Sequence, residues 1–285
     1  CSTLRKMLLW FLELRFAVRS ENAASAGVVG RRWWLLYRPI VAIGMKYPLL
    51  AMLEHMLFDA PLPRPAVKVA PGVSHVPGWL GLDEQRGLVE QMRGYARRLA
   101  GTPVAMRRPV LKSGQMSVFM MQLGKYWQTQ PYAYVDAVDG VRVPPVPDNL
   151  QAIAERALTA AAEVAKELRP WVEGFSAQTA LVNFYPPDAT MGMHVDNNES
   201  SPAPVVSLSI GQEAIFRIGN TESKNKPWDD VLLASGDLVV FGGPARFAYH
   251  GIPKLLPGTT PRGCGLDAGG TDAGRINITL RQVYV

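Results

Sequence analysis

Leu181-Val182-Asn183-Phe184-Tyr185-Pro186-Pro187-Asp188-Ala189-Thr190-Met191-Gly192-Met193-His194-Val195-Asp196 closes on a histidine and an aspartate two positions apart. On an extended segment, residues two apart project to one face, so an imidazole and a carboxylate stand side by side. They are two of the three ligands of the 2-His-1-carboxylate facial triad, which holds non-haem Fe(II) and leaves positions open. An H-x-D pair alone is common in surface loops and capped turns. It gains meaning only from residues further along the chain.

Two later segments extend the pattern. His250 stands in Ala248-Tyr249-His250-Gly251, 56 residues beyond His194 and just after the apolar run Leu238–Gly242. Short strands with tight turns between the two histidines would fold back and let the imidazoles meet. Arg275-Ile276-Asn277-Ile278-Thr279-Leu280-Arg281 has a period of two. Arg275, Asn277, Thr279 and Arg281 share one face, and Ile276, Ile278 and Leu280 the other. On an edge strand the polar face would be solvated. Inside a barrel it must bind something anionic, and each guanidinium can grip a carboxylate bidentately.

The ordered set of H-x-D, a distant histidine and R-x-N-x-T-x-R resembles the AlkB family of Fe(II)/2-oxoglutarate dioxygenases. Flanking residues join the resemblance: Asn183, Tyr185, the run Val206–Gly211, Phe216, Gly236-Asp237, Gly242-Gly243, Met116-Ser117 and the aromatic loop around Trp127. It runs from about Val73 to the end of the chain and implies a double-stranded β-helix. It implies that His194, Asp196 and His250 hold Fe(II). Asn183, Tyr185, Arg275, Asn277, Thr279 and Arg281 would hold 2-oxoglutarate, with an arginine at each carboxylate. Met116, Ser117, Trp127, Tyr134 and Asn198 would lie on the substrate side, near a nucleotide-recognition lid. Trp127 and His194 would sandwich a base flipped from its stack.

The implied reaction consumes O₂ and 2-oxoglutarate, hydroxylates an N-alkyl carbon and releases aldehyde, succinate and CO₂. The implied partner is alkylated nucleic acid, DNA before RNA. Asn198 stands where the DNA-repair type has an acid, with Glu199 following, and Phe241 stands where the bacterial repair enzyme has tryptophan. Both bear on base preference. The same chemistry on RNA, protein or a small molecule stays open, as does a non-catalytic β-barrel binding module.

Composition is consistent with such an enzyme. The 285 residues suit one large domain with an extension, and 48% apolar with 19% charged residues is ordinary for a globular chain. Two cysteines, Cys1 and Cys264, argue against a disulfide scaffold or a zinc-thiolate site. A cytoplasmic setting is the default expectation. Of the net charge of +6, most sits in residues 1–60, with eight basic residues against four acidic ones. Residues 1–60 form an apolar, basic extension with two expected helical segments. Its apolar runs are short or interrupted by Arg38, Pro39, Lys46 and Pro48, so neither is a clean membrane span. Contact of residues 1–58 with a membrane surface remains an expectation.

A Pro-rich linker (61–72) leads into the dioxygenase domain, residues 61–285. Asp83 is expected to cap a helix whose Leu88, Val89 and Met92 form one stripe and which ends near Ala100-Gly101. A second, Ala-rich helix is expected over 151–170. Residues 104–145 read as strands and loops with a hairpin, and short strands follow from Thr179. Helices before an all-β half place the chain in the α+β class, a barrel or jelly roll backed by N-terminal helices. His55 is read as a surface or packing histidine, and His75, preceding a turn, is not expected to be a ligand.

Overall fold

The computed structural model describes residues 64–111, 114–266 and 274–285. The helical segments, membrane contact and extension read for residues 1–60 lie outside the described residues. Among the described residues no helix is long and apolar enough to cross a membrane.

The chain runs β1 (Val67–Ala70), β2 (Val73–Val76), α1 (Leu82–Leu99), β3 (Val110–Leu111), β4 (Gly114–Gln115), β5 (Phe119–Gly124), β6 (Tyr126–Thr129), β7 (Tyr132–Val135), β8 (Ala137–Val138) and β9 (Val141–Arg142). Then come α2 (Asp148–Val164), a 3₁₀ turn (Lys166–Trp171), β10 (Thr179–Tyr185), β11 (Met191–His194), β12 (Val205–Gly211), β13 (Glu213–Gly219) and β14 (Trp228–Leu233). It closes with β15 (Leu238–Phe241), β16 (His250–Leu256) and β17 (Arg275–Arg281). Strands β10 to β17 divide between a large sheet, ordered β1-β2-β15-β12-β17-β10-β5, and a small one, ordered β11-β16-β13-β14. All of these pairings are antiparallel. Eight strands shared four and four between two sheets make a jelly roll.

The alternation in β17 sets the two faces of the large sheet. Ile276, Ile278 and Leu280 join a buried cluster with Leu88, Val89 and Met92 of α1 and Leu150, Ala157 and Ala161 of α2. The helices therefore cover the outer face. The polar residues of β17 turn inward, toward the small sheet. β17 is no edge strand, because it pairs along its length with β10 on one side and β12 on the other. All seven of its residues are buried.

Helix boundaries differ from expectation. Gly81, not Asp83, occupies the N-cap of α1, with no side-chain cap. Asp83 sits in the first turn, where its charge still suits the helix dipole, and pairs with Arg86 at the surface. The expected apolar stripe is the buried one. α2 starts earlier and stops sooner than 151–170. Extended backbone at Ala165 ends it, and Pro170 lies in the following 3₁₀ turn. A proline ring cannot continue an α-helix without losing a hydrogen bond.

Within residues 104–145, the region expected to hold a hairpin, β6 and β7 form one, with Trp127 opposite Tyr134. His75 lies within β2, and its Nε2 is 2.9 Å from Asp237 Oδ2. That carboxylate also accepts both terminal nitrogens of Arg64 and the backbone N–H groups of Gly78 and Ala234.

Candidate metal centre and co-substrate pocket

Strand pairing brings the two histidines together. β11 and β16 run antiparallel with His194 directly opposite His250, and the ring centroids are 4.4 Å apart. Asp196 follows β11 and turns its carboxylate between them. Oδ1 lies 3.7 Å from His194 Nε2, and Oδ2 lies 3.4 Å from His250 Nε2. One ligand atom from each residue falls within 4.8 Å of the others. Metal–ligand bonds of ~2.1 Å place adjacent ligand atoms roughly 3 Å apart, so a small contraction closes the site.

The tautomers are also set. His194 Nδ1 is 2.9 Å from the Gly192 carbonyl and His250 Nδ1 is 3.0 Å from the Ala248 carbonyl. Each Nδ1–H donates to its carbonyl and leaves the Nε2 lone pair free for a metal. Desolvation, then the neighbouring His250, push the His194 imidazole down to about 4, although 37% of its side chain faces solvent. Either way it is neutral at pH 7, as ligation requires. Burial opposes the charge of Asp196, yet Arg281 and the two histidines hold its carboxyl well below the usual range. Phe241 and Phe216 wall His250 at 4.7 and 6.1 Å between centroids.

The same cavity is lined by Asn183, Tyr185, Arg275, Asn277, Thr279 and Arg281. Arg275 is 1% exposed. Its Nη2 donates to Ser209 Oγ at 2.9 Å, and its guanidinium carbon lies 5.1 Å from the centre of the Tyr185 ring. Among the described residues its Nε and Nη1 have no hydrogen-bond partner, nor does Asn183 Oδ1. Burial lowers the Arg275 pKa, and Tyr185 opposes that. Leaving two donors of a buried cation unpaired is costly, and an oxyanion would satisfy them. Asn277 donates to Ser207 Oγ and the Leu208 carbonyl, and its Oδ1 accepts from Thr279 and Asn183. A site with three metal ligands and a buried, partner-seeking arginine fits Fe(II) with a carboxylate-bearing co-substrate.

Arg281 is placed differently from the expected second clamp. Its Nη2 lies 2.6 Å from Asp196 Oδ2, and its Nη1 donates to Glu199 Oε1 at 2.9 Å. Its Nε lacks a partner among the described residues. Its fork is occupied by two protein carboxylates, so its first partner is Asp196.

The substrate-side residues scatter. Met116 packs against the cluster between the sheets, and Ser117 exchanges hydrogen bonds with the Thr190 backbone beside β11. Trp127 is not among the residues lining the metal cavity. It lines a neighbouring groove with Arg107, Arg108 and Gln128 and stacks on Tyr132 at 5.8 Å. The expected sandwich of Trp127 and His194 is therefore not assembled here. Asn198 is exposed, whereas Glu199 is buried. The acid beside the site is thus Glu199, one residue further along. The Tyr134 hydroxyl is committed to Glu199.

Sequence reasoning missed Arg246. It is 2% exposed and donates to the Ala203 and Asp196 carbonyls at 2.7 Å each and to Glu199 Oε2 at 3.1 Å. The available signal was a lone basic residue within Ala245–Tyr249, four positions before His250.

A jelly roll that gathers two histidines and an aspartate beside a buried arginine defines a metal-dependent oxygenase with an oxyacid co-substrate. The model of the 2OG-Fe(II) oxygenase superfamily matches residues 72–281. An alpha-ketoglutarate-dependent dioxygenase AlkB homolog from Caulobacter vibrioides is 37% identical over 228 residues, covering 75% of this chain and 89% of that one. The Arabidopsis thaliana DNA N(6)-methyladenine demethylase ALKBH1C is 28% identical over 75% of this chain and 49% of its own. The Schizosaccharomyces pombe tRNA demethylase abh1 is 33% identical over 55% of this chain and 49% of its own. Among solved structures, OsALKBH1 superposes with a TM-score of 0.65 at 29% identity, covering 76% of this chain and all of that one. The chain belongs to the AlkB family of 2OG-Fe(II) oxygenases. It is accordingly a dioxygenase that uses Fe(II), 2-oxoglutarate and O₂.

Proposed function

We propose that this dioxygenase removes small N-linked alkyl groups from nucleic-acid bases, with DNA the preferred polymer, and releases aldehyde, succinate and CO₂. The observation that carries the reading is the His194-Asp196-His250 cluster beside Arg275, two of whose buried nitrogens lack partners among the described residues. Fe(II), 2-oxoglutarate and O₂ together supply the oxidation of the alkyl carbon. His194, Asp196 and His250 would hold the iron through Nε2, a carboxylate oxygen and Nε2. Arg275 would take a carboxylate of 2-oxoglutarate, with Asn183, Tyr185, Asn277 and Thr279 lining the path to it. The protein's part is to orient these groups and shield them from water.

The choice of nucleic acid draws support from the relatives described as DNA and tRNA demethylases. DNA is put first because the relative described as acting on it aligns along more of this chain. The groove beside the metal cavity adds a second support. Exposed Arg107 and Arg108 line the groove with Trp127, whose ring stacks on Tyr132, a combination suited to a single strand. The test is aldehyde release from N-methylated DNA and RNA oligonucleotides in the presence of Fe(II), 2-oxoglutarate and ascorbate. Formaldehyde from DNA, abolished by His194→Ala, is expected. Faster turnover of every RNA substrate would overturn the preference for DNA. Succinate release with no oligonucleotide demethylated would overturn the substrate class.

A further inference from the structure

The β6–β7 hairpin is a two-stranded sheet of its own. Such a ribbon is marginal alone and needs outside contacts to stay ordered. Tyr134 supplies one that leads to the metal centre. Its hydroxyl donates to Glu199 Oε1. The same oxygen accepts from Arg281 Nη1 at 2.9 Å, and Arg281 Nη2 lies 2.6 Å from Asp196 Oδ2. A parallel branch leaves Glu199 Oε2 for Arg246 Nη2 at 3.1 Å, and Arg246 Nη1 holds the Asp196 carbonyl at 2.7 Å. Glu199 thus reaches the Asp196 side chain through one arginine and its backbone through another. The Glu199 side chain has no exposure and that of Arg246 has 1%, so water does not compete for the bond between them.

We infer that Tyr134 and Glu199 are positioning residues that couple the order of the β6–β7 hairpin to occupancy of the metal centre. The inference rests on the proposed role of Asp196 as a ligand. A cation on Asp196 immobilises the carboxylate and, through Arg281, Glu199 and Tyr134. The ordering cost of the hairpin is then partly met before a substrate arrives. Glu199 also keeps Arg281 from turning both Nη groups onto Asp196. That leaves Oδ1, the oxygen nearer His194, free to face the metal.

Hydrogen exchange of the full chain with and without Co(II) tests this, with Co(II) absorbance as an independent measure of binding. In the unaltered chain, Co(II) is expected to slow exchange at Trp127–Tyr134 roughly tenfold, the scale of one charge-assisted hydrogen bond. In Tyr134→Phe, Co(II) still binds and the slowing is lost. Glu199→Gln also loses the slowing, and its Co(II) affinity falls. Undiminished slowing in Tyr134→Phe overturns the inference, as does Co(II) binding to the unaltered chain with no slowing at all. Absence of Co(II) binding by the unaltered chain would instead overturn the metal-centre reading, and this inference with it.

Discussion

Arg275 is a charged side chain where charge is costly. It is 1% exposed, and two of its donor nitrogens have no partner. Its immediate neighbours Ser209 and Tyr185 are neutral, and the charge of Asp237 is the weakest of the influences that oppose the cost of its burial. Replacing such a group by an apolar one of similar volume is often neutral or stabilising. Arg275→Met is therefore expected to hold or raise the thermal midpoint of the free protein. The same change should weaken 2-oxoglutarate roughly 10- to 100-fold by titration calorimetry, from loss of charge-assisted bonds. An unchanged affinity would remove Arg275 from the co-substrate site. Arg281 differs because its charge is matched within the protein by Asp196 and Glu199. Arg281→Met is expected to lower the thermal midpoint, leaving two buried carboxylates short of a partner.

At the scale of elements, the centre depends on how closely β11 approaches β16. β11 is four residues long and, among the described residues, lies at the edge of the small sheet, paired only with β16. A β-carbon added at Gly251 would sit 2.7 Å from the Met191 carbonyl oxygen and 2.9 Å from that of Gly192. Gly251→Ala must push β11 outward, and His194 moves with it. Misplacement by an ångström can cost roughly 100-fold in rate. Turnover should fall on that scale while the thermal midpoint shifts by only a few degrees, because the helices and large sheet are untouched. A variant with normal turnover would show that the pairing tolerates the extra carbon. α2 makes the complementary case. Its buried face is largely alanine, at positions 154, 157, 161 and 162, which lets the helix lie close against the large sheet.

Over the whole molecule, two charge distributions can be tested. Asp237 is fully buried and binds Arg64, His75 and two backbone amides. Burial opposes its charge, but His75 and Arg64 hold its carboxyl below the usual value. A carboxylate depressed in the folded state contributes stability above its unfolded pKa of about 3.9 and loses it as pH falls through the folded value. Asp237→Asn should thus destabilise the protein by roughly 2–4 kcal/mol at pH 7. The difference from the unaltered chain should shrink toward pH 3, as measured by urea denaturation at both pH values. The second test concerns the groove. If Arg107 and Arg108 contact phosphates, replacing both by alanine should flatten the slope of log affinity against log salt by about 1.4 for a single strand. An unchanged slope would place the polymer elsewhere.

What could be read without coordinates was whatever local chemistry specifies. The two-residue alternation of Arg275–Arg281, the H-x-D pair and the apolar stripe of α1 depend on backbone periodicity, which is the same wherever a strand or helix lies. The short strands of the jelly roll and the shared face of the polar residues of β17 were legible for that reason, whereas the grouping of His194 and Asp196 with His250 was legible only through the family resemblance. Helix ends were not, because the start of α1 at Gly81 and the break of α2 at Ala165 follow from backbone geometry that no side-chain signal announced. The partners of Arg281, Tyr134 and Arg246 were equally hidden. Arg281 and Glu199 are 82 positions apart, and Tyr134 and Glu199 are 65. Each of these side chains has several possible partners of opposite charge or matching polarity. Spacing along a chain does not choose among them; the stacking of sheet, hairpin and loop does, by excluding water from one combination.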